Sequence, residues 1–242
     1  MTKVPVKTSY WGERAASLYD DQYARRYRDC DEELLQTPSY QQFIDWLRDV
    51  CGRFDHPIEA LDLGCGTGRY FWGLQNVAAL TGIDASEAML AEAAHPIQQE
   101  QITAGSIALI LGDLELHDFD AAQFDLVYSI GVLAEHVPLD ASLVGRVWRW
   151  LKPGGRFAFT TVDPSSPSVH RTVRRRLAEA ALPLMPGDAN HRLHARLMAN
   201  GLYADERWIR EQLAPAFAIE TFELFRSDVH LHGRCVARKV MT

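Results

Sequence analysis

The sequence predicts an α/β fold built around one mostly parallel sheet, with crossover helices on both faces of that sheet. Strand-like and helix-like segments alternate along the chain, which is the pattern that such a sheet requires. Residues 61–69, Leu-Asp-Leu-Gly-Cys-Gly-Thr-Gly-Arg, form an apolar run that leads directly into a glycine-rich turn. Because open α/β sheets bind ligands at the carboxyl ends of their strands, this turn marks the expected site.

Short sequence patterns, such as capping residues and glycine or proline turns, predict the individual helices and strands. After the glycine-rich turn we expect a helix over 70–74, and Asp205 is expected to cap a helix that ends before Pro215. A pair of glycines at 154–155 lies in a turn before an alternating run. The other predicted elements are strands over 78–84, 107–111, 123–130, 151–160, 217–225 and 229–240, the last of which contains His-Leu-His-Gly, and helices over 88–94 and 139–151.

The three glycines of the turn favour close approach of a ligand. Gly64, Gly66 and Gly68 lack Cβ atoms, so the backbone can adopt unusual dihedral angles and form the floor of a cofactor site. The third glycine comes one residue earlier than in the Gly-x-Gly-x-x-Gly turn of dinucleotide-binding proteins, so the pattern fits NAD poorly. Asp62, two positions before the first glycine, could hold a cationic ligand group through charge-assisted hydrogen bonds.

Five motifs across about residues 58–162 resemble those of the class I S-adenosylmethionine (SAM)-dependent methyltransferases, of the type that acts on small molecules. They are the glycine-rich turn, the strand that ends in Asp84, the corner Gly112-Asp113-Leu114, the strand over 123–130, and the turn and strand over 151–160. The resemblance implies a doubly wound, seven-stranded, Rossmann-like sheet with an antiparallel C-terminal hairpin. It also implies SAM as the cofactor and S-adenosylhomocysteine (SAH) as the product.

The resemblance assigns cofactor-binding roles to individual residues. Asp84 would take the ribose hydroxyls, although Asp84 or Ser86 could instead cap the following helix. Asp113 would accept a hydrogen bond from the adenine amine, although Gly-Asp is also a common turn pair. The end of the fourth strand would supply backbone carbonyls to the methionine portion. The cofactor-binding residues expected are Asp62, Gly64, Cys65, Gly66, Gly68, Asp84, Ala85, Asp113, Leu114, Ser129, Ile130, Tyr19 and Tyr23.

His136 and Glu135 are the candidate catalytic residues, because they follow the fourth strand, where related methyltransferases place an acidic residue or a histidine beside the transferred methyl group. Methyl transfer from a sulfonium is an in-line displacement that needs mainly positioning and desolvation. A general base helps when the acceptor must lose a proton, and His136 is the better candidate. The alternatives are that His136 positions the substrate or packs against the following helix.

Residues 1–50 are expected to form a helical lid. Tyr19, Tyr23 and Tyr27 are spaced i, i+4, i+8, which places them on one face of a helix. This face could line an acceptor pocket or could simply pack on the sheet. Tyr19-Asp20 is similar to a Tyr-Asp motif that closes the site in related methyltransferases, so Tyr19 and Tyr23 are expected to reach the cofactor carboxylate.

Residues 163–204 are expected to form a cap, because this insertion is long for a plain connection and contains four prolines. The insertion carries a basic cluster, which could bind an anionic acceptor or a nucleic-acid backbone, or could be a solvated helix face. The cluster consists of Arg171, Arg174, Arg175 and Arg176, and is followed by His191 and His194. The formal net charge of −7 argues against a nucleic-acid substrate.

The composition predicts one soluble domain. A chain of 242 residues with 47% hydrophobic content can bury one substantial core. The four cysteines, Cys30, Cys51, Cys65 and Cys235, lack the spacing of a zinc site or a disulfide framework, so we expect no metal. No signal peptide and no apolar segment of about 18 residues is evident, so we expect a cytoplasmic location without membrane association.

The sequence therefore predicts an enzyme that transfers the methyl group of SAM to an oxygen or nitrogen atom of a small-molecule acceptor, for which secondary metabolism is one setting. The expected organisation is a lid over 1–50, a SAM-binding core over 51–162, a cap over 163–204, and the last helix and terminal strands over 205–242. An RNA or protein methyltransferase and a catalytically inactive SAM-binding regulator are the alternatives. Homodimerisation is left open, and the absence of Asn-Pro-Pro-Tyr and of a Pro-Cys nucleophile argues against nucleobase chemistry.

Overall fold

A single seven-stranded sheet organises the molecule. The computed structural model describes residues 8–169, 172–198, 202–227 and 230–240. The strands are β1 (Ile58–Leu63), β2 (Val77–Asp84), β3 (Ile107–Leu111), β4 (Phe124–Ser129), β5 (Leu151–Val162), β6 (Phe217–Arg226) and β7 (Leu231–Lys239). Their order is β3-β2-β1-β4-β5-β7-β6. Strands β1 to β5 pair in parallel, and β7 is antiparallel to both β5 and β6. The predicted fold class is confirmed.

The described helices other than α7 begin where a short polar side chain caps them, whereas α7 follows Pro186. The described helices are α1 (Tyr10–Leu18), α2 (Asp21–Leu34), α3 (Pro38–Cys51), α4 (Glu87–Ala93), α5 (Ala141–Trp150), α6 (Val173–Ala181), α7 (Gly187–Leu197) and α8 (Glu206–Leu213). The side chain of Asp205 accepts a hydrogen bond of 2.8 Å from the backbone N–H of Trp208, so the predicted cap of α8 is confirmed. Ser86, rather than Asp84, caps α4 by accepting a hydrogen bond from the N–H of Met89.

The core lies on both faces of the sheet because successive strand residues point to opposite sides. On β5, Phe157 and Phe159 pack in the cluster that contains Leu143 of α5 and Ile209 of α8. Ala158, between them, belongs to the opposite cluster, which includes residues of α3 such as Leu47. The two faces are therefore covered by different helices, and the carboxyl ends of β1, β2, β4 and β5 remain at one edge for a site.

The segment after the glycine-rich turn differs from the prediction of a helix over 70–74. The structure has a three-residue 3-10 helix, Phe71–Gly73, and the chain then enters β2 at Val77. Gly68 adopts a φ of +73° directly before this segment, and Asn76 has a φ of +57° directly after it. Leu74 is extended, with φ −77° and ψ 140°, so the helical geometry ends at Gly73, before an α-helix can form.

The arrangement of Tyr19, Tyr23 and Tyr27 also differs from the predicted single helical face. Helix α1 ends at Leu18, and Asp20 has extended backbone and caps α2, so Tyr19 lies between two helices rather than on one. The three rings nevertheless meet: the ring centroid of Tyr19 lies 5.0 Å from that of Tyr23 and 6.3 Å from that of Tyr27. The predicted aromatic cluster exists, but a helix break, not helical periodicity, brings Tyr19 into it.

The insertion over 163–204 contains α6, α7 and a 3-10 helix, Leu182–Leu184. The side chain of His194 hydrogen-bonds to Asp205 with an Nε2–Oδ2 distance of 2.8 Å, which ties α7 to the start of α8. Arg175 pairs with Glu179 one turn along α6, so this part of the basic cluster is balanced within its own helix. Arg171 lies outside the described residues.

Candidate active site

The first of two adjoining cavities lies at the carboxyl edge of β1, β2 and β4, between the glycine-rich turn and α1. It has a volume of about 80 Å³. Gly64, with φ +76°, shows why the turn needs glycine, because a Cβ atom there would lie 2.6 Å from a methyl carbon of Val132. The lining includes Trp11, Gly12, Ala15, Tyr19, Tyr27, Asp62, Gly64, Cys65, Gly66, Thr67, Arg69, Tyr70, Asp84, Ala85, Met89, Asp113, Leu114, Ile130, Gly131, Val132, His136 and Val137.

Asp84, at the end of β2, holds the turn and lines this cavity. One carboxylate oxygen accepts from the N–H of Gly66 and the other from the N–H of Ser86, each at 2.9 Å. Burial raises the pKa of Asp84 above its ordinary value. A carboxylate has further acceptor capacity, so Asp84 can take hydroxyl groups from a ligand while it keeps both backbone contacts.

Asp62, at the end of β1, is a buried acid in the wall of the same cavity, with an exposed fraction of only 4%. Burial raises the pKa of Asp62 to about 7. A cationic ligand group beside this carboxylate would favour its charged form and compensate for its loss of water. The donor set therefore suits a ligand that carries an ammonium group.

The corner at Asp113 is in direct contact with α1. The carboxylate of Asp113 accepts hydrogen bonds from the backbone N–H groups of Ser9 and Glu115. A Cβ atom on Gly12 would lie 2.0 Å from the nearer carboxylate oxygen, so α1 approaches this closely only because residue 12 is glycine. Asp113 and Leu114 both line the cavity, and α1 covers them.

Three of the expected cofactor-binding residues, Ser129, Gly68 and Tyr23, do not line the first cavity. Ser129 is fully buried, and its hydroxyl donates to the carbonyl of Leu63 at 2.8 Å, which ties β4 to β1. Gly68 faces Phe71, and a Cβ atom there would lie 2.7 Å from the ring. Ser129 and Gly68 support the site without lining the cavity. Ser129 holds the ends of β4 and β1 together, and Gly68 allows the turn to pack against Phe71.

The loop that follows β4 places His136 against Tyr19. The Tyr19 hydroxyl lies 3.1 Å from Nε2 of His136, and the two rings meet edge to face. The backbone N–H of His136 donates to the carbonyl of Val132 at 2.8 Å, which fixes the loop. Burial, with a smaller contribution from Arg14, lowers the pKa of His136, and burial raises the pKa of the Tyr19 phenol. At neutral pH a protonated phenol therefore faces a neutral imidazole.

The second cavity adjoins the first and is far larger, with a volume of about 550 Å³. Tyr19 and His136 line both cavities, so the pair lies where the two meet. Tyr23 and Glu135 line the second cavity and not the first, which differs from the expectation that Tyr23 contacts the cofactor. Burial raises the pKa of Glu135 to about 7, and its carboxylate lies 3.9 Å from Nε2 of His136.

The far wall of the second cavity comes from the connection between β6 and β7 and from the start of β7, not from the insertion. Ser227, His230 and His232 line it, whereas no described residue of 163–204 lines either cavity. Sequence reasoning considered the lid and the basic cluster of the insertion as acceptor-binding segments, and it noted His-Leu-His-Gly only as part of a strand. The remaining lining residues include Leu18, Arg26, Tyr27, Cys30, Leu34, Thr37, Ser39, Tyr40, Phe43, Arg69, Tyr70, Ile130 and Gly131.

A buried ionic network joins the lid to the glycine-rich turn, and sequence reasoning missed it. Asp31 of α2 is fully buried and forms an ion pair with Arg69, and it also accepts a hydrogen bond from the hydroxyl of Thr67. The guanidinium of Arg69 lies 4.1 Å from the ring centroid of Tyr27. The available signal was the helical spacing that places Asp31 on the same face of α2 as Ala24 and Tyr27.

The described part of the chain holds no cluster of three or more histidine, cysteine, aspartate or glutamate side chains that could bind a metal ion. Within the same ranges, no helix has both the length and the apolar character needed to cross a membrane.

Comparison with known proteins agrees with the fold. Residues 60–155 match the family model described as a methyltransferase domain. The chain is 35% identical over 135 residues to the demethylmenaquinone methyltransferase of Leptospira interrogans, covering 49% of this chain and 53% of that protein. It is 33% identical over 148 residues to the ubiquinone biosynthesis O-methyltransferase of Methylococcus capsulatus, covering 59% of each chain. The matches thus span little more than half the length of these relatives.

Solved structures share the fold at low sequence identity. The magnesium protoporphyrin IX methyltransferase of Synechocystis, determined with bound SAH, superposes with a TM-score of 0.65 at 17% identity and covers 95% of this chain and 100% of that chain. The N-methyltransferase NodS of Bradyrhizobium japonicum, also with SAH, gives a TM-score of 0.60 at 16% identity and covers 94% and 96%. These likenesses concern the fold alone.

The sheet order, the glycine-rich turn and the acids at the ends of β1 and β2 define an α/β fold with a candidate ligand site at the carboxyl edge of its sheet. With the match to the family model, residues 60–155 are a methyltransferase domain, and the fold of the chain is the one that the solved SAH-bound methyltransferases share.

Proposed function

We propose that the protein transfers the methyl group of SAM, bound in the first cavity, to an oxygen atom of a small molecule bound in the second. The observation that carries this proposal is the Tyr19–His136 pair, which lies where the two cavities meet. One of the curated relatives described above is named as an O-methyltransferase of ubiquinone biosynthesis, which supports an oxygen acceptor.

The first cavity has the groups that SAM requires. Asp62 would face the methionine ammonium, Asp84 the ribose hydroxyls, and Asp113 with Leu114 the adenine. Gly64, Cys65, Gly66 and Ala85 would form the floor, and the backbone at Ile130 would meet the methionine portion. When bound, the cofactor supplies a methyl group already activated on a sulfonium, so the protein needs to provide only alignment, desolvation and removal of a proton.

The proton of an acceptor hydroxyl would reach His136 through Tyr19. The Tyr19 hydroxyl lies 3.1 Å from Nε2 of His136, so an acceptor bound beside the phenol oxygen can pass its proton to this nitrogen through Tyr19. In this arrangement Tyr19 takes the acceptor proton as it gives its own proton to the imidazole, and it stays uncharged. The lowered pKa of His136 keeps the imidazole neutral and able to accept at neutral pH.

Glu135 is a second ionisable group near the reacting atoms, rather than the base itself. It lines only the second cavity, and burial raises its pKa to about 7. A carboxylate that is only partly ionised at neutral pH can accept a hydrogen bond from the acceptor or stabilise the imidazolium that forms on His136. Its position 3.9 Å from Nε2 favours the second role.

Calorimetry tests cofactor binding before any acceptor is known. SAM and SAH are titrated into the wild type, Asp84→Ala and Asp120→Ala, the last being a matched control because Asp120 is an exposed acid outside both cavities. We expect Asp84→Ala to lose at least about 1 kcal/mol of binding free energy, since a charged acceptor of hydrogen bonds is removed. Equal affinity of all three proteins would refute the assignment of Asp84.

Turnover then separates an enzyme from an inactive binding protein. Hydroxylated small molecules are screened with methyl-labelled SAM, and acceptor-dependent formation of SAH is measured. His136→Ala should bind SAM normally and form SAH slowly, because the imidazole is placed to act on the acceptor side of the transferred methyl group. Loss of SAM binding in His136→Ala would instead place His136 in the cofactor site.

A further inference from the structure

The second cavity has two chemically different ends. Tyr19 and His136 lie at the end near β4, whereas Ser227, His230 and His232 lie at the end near β7. Strand β7 is separated from β4 by β5, so the two ends are offset by two strand spacings, roughly 10 Å. This offset matches a single six-membered ring with polar groups at opposite positions, once a hydrogen bond is added at each end.

His230 is held in place with one nitrogen available to the cavity. The Ser168 hydroxyl lies 2.5 Å from Nδ1 of His230 and 2.8 Å from the Ser166 hydroxyl. The Ser166 oxygen in turn accepts from the N–H of Leu231 at 3.0 Å. When each hydroxyl donates onward along this chain, Nδ1 of His230 is an acceptor and Nε2 carries the proton. Among the described residues, Nε2 of His230 has no hydrogen-bond partner.

The charges that line this cavity leave one cation without a partner. Arg69 is paired with Asp31. Arg26, on the exposed side of α2, lines the cavity and forms no ion pair with any described residue. The only carboxylate among the described lining residues is Glu135, whose burial favours its protonated form. His232 is neutral because burial lowers its pKa to about 4, and burial also lowers the pKa of His230.

The walls between the two ends are aromatic. Tyr23, Tyr27, Tyr40, Phe43 and Tyr70 all line the second cavity. The rings of Tyr40 and Tyr70 stack with centroids 5.6 Å apart, and Phe43 meets Tyr70 edge to face, which fixes this wall. Rigid aromatic walls favour a flat, conjugated ligand over a flexible one, because ring contacts contribute without ordering the ligand further.

From these observations we propose that Arg26 and Nε2 of His230 form a carboxylate-binding subsite, so that the methyl acceptor is an aromatic hydroxy acid whose carboxylate lies opposite the methylated oxygen. One guanidinium and one imidazole N–H can each donate to one of the two carboxylate oxygens. The inference rests on the proposed function for the identity of the methylated end. The carboxylate end is argued independently, from Arg26, His230 and Ser168.

A binding experiment tests the subsite without turnover. The probes are 4-hydroxybenzoate and its uncharged analogue 4-hydroxybenzamide, at millimolar concentration, with the SAH-saturated protein; binding is followed by ligand-observed NMR. We expect the carboxylate to bind at least tenfold more tightly than the amide in the wild type. Arg26→Gln and His230→Ala should each reduce this preference to threefold or less. His230→Gln, which retains an N–H donor, should restore part of it.

Two matched control variants distinguish loss of carboxylate recognition from general effects of charge or folding. Arg25→Gln removes an arginine from the same helix, and His95→Ala removes an exposed histidine; neither residue lines a cavity, so both variants should keep the wild-type preference. Equal binding of the two probes, binding of neither, or an unchanged preference in Arg26→Gln and His230→Ala overturns the subsite. Failure of the proposed function gives a different result, because SAH itself would then not bind in the calorimetric titration.

Discussion

Arg69 of the glycine-rich turn forms an ion pair with the fully buried Asp31 of α2, so the floor of the first cavity and the lid above the second are joined by one interaction. The same arginine lines both cavities. Tyr40 of α3 adds a second link, because its hydroxyl donates to the backbone carbonyl of Arg69 and accepts from the indole N–H of Trp72. A shift of the turn on cofactor binding would therefore be transmitted to the walls of the acceptor cavity.

Asp31→Asn should destabilise the protein by about 3 kcal/mol or more, because it leaves the Arg69 guanidinium buried without its counter-ion. Urea denaturation followed by circular dichroism measures the change. Asp45→Asn is the matched control, since Asp45 lies on α3 with 70% of its side chain exposed and contacts Arg48 at 3.4 Å. The control should change stability by less than about 1 kcal/mol. An equal loss of stability in the two variants would show that the buried Asp31–Arg69 pair stabilises the protein no more than an exposed ion pair does.

Tyr19→Phe should lower kcat at least tenfold, about 1.4 kcal/mol in activation free energy, with little change in SAM affinity. The variant keeps the ring and removes the hydroxyl that contacts His136. Tyr10→Phe is the control, because Tyr10 is 68% exposed and lies outside both cavities. An unchanged kcat in Tyr19→Phe would exclude the phenol from the proton path and leave direct transfer to His136.

The pH dependence of kcat should distinguish His136 from Glu135. Protonated imidazole cannot accept a proton, so activity should be lost as the pH falls through a value below the ordinary histidine pKa of 6.5. If Glu135 were the base, activity would fall near its pKa of about 7. Profiles of the wild type and Glu135→Gln are compared. An acid limb that persists in Glu135→Gln supports His136, and one that disappears identifies Glu135.

The parts of the site that could be predicted from sequence are those set by short segments. Asp62, Gly64 and Asp84 lie at strand ends, and a strand followed by a turn is readable from a few neighbouring residues. The contacts that could not be predicted join distant segments: Asp31 with Arg69, and Ser168 with His230. The spacing of Tyr19, Tyr23 and Tyr27 predicted a continuous helix, but the capping side chain of Asp20 starts a new helix there.

Gly12→Ala should weaken closure of the lid, because a Cβ atom at this position would lie 2.0 Å from the carboxylate of Asp113. We expect α1 to become accessible to limited proteolysis and the affinity for SAM to fall, since α1 covers Asp113 and Leu114, the corner proposed to bind adenine. Gly145→Ala on α5 is the matched control: no atom lies within 4 Å of the added methyl group, and alanine favours helix by about 0.5 to 1 kcal/mol. If Gly12→Ala behaves like this control, α1 does not close the site.

Asp62→Asn should change how stability depends on pH in the cofactor-free protein. The folded-state pKa of Asp62 is raised from 3.8 to about 7, so between these values the native state binds more protons than the unfolded state. The contribution of this group to stability therefore falls as the pH rises through that window, and Asn removes the dependence. Thermal unfolding from pH 5 to pH 8 should show a steeper decline in Tm for the wild type than for Asp62→Asn.

Cofactor binding should reverse this effect in the wild type. The ammonium group of SAM beside Asp62 would lower the pKa of the carboxyl, so binding near pH 6 should release protons, and the heat of binding should depend on the ionisation enthalpy of the buffer. Asp62→Asn should show no such dependence and should bind SAM more weakly. Proton release that is the same in both proteins would place the ammonium elsewhere and would leave Asp62 as a buried acid that destabilises the fold without serving the cofactor.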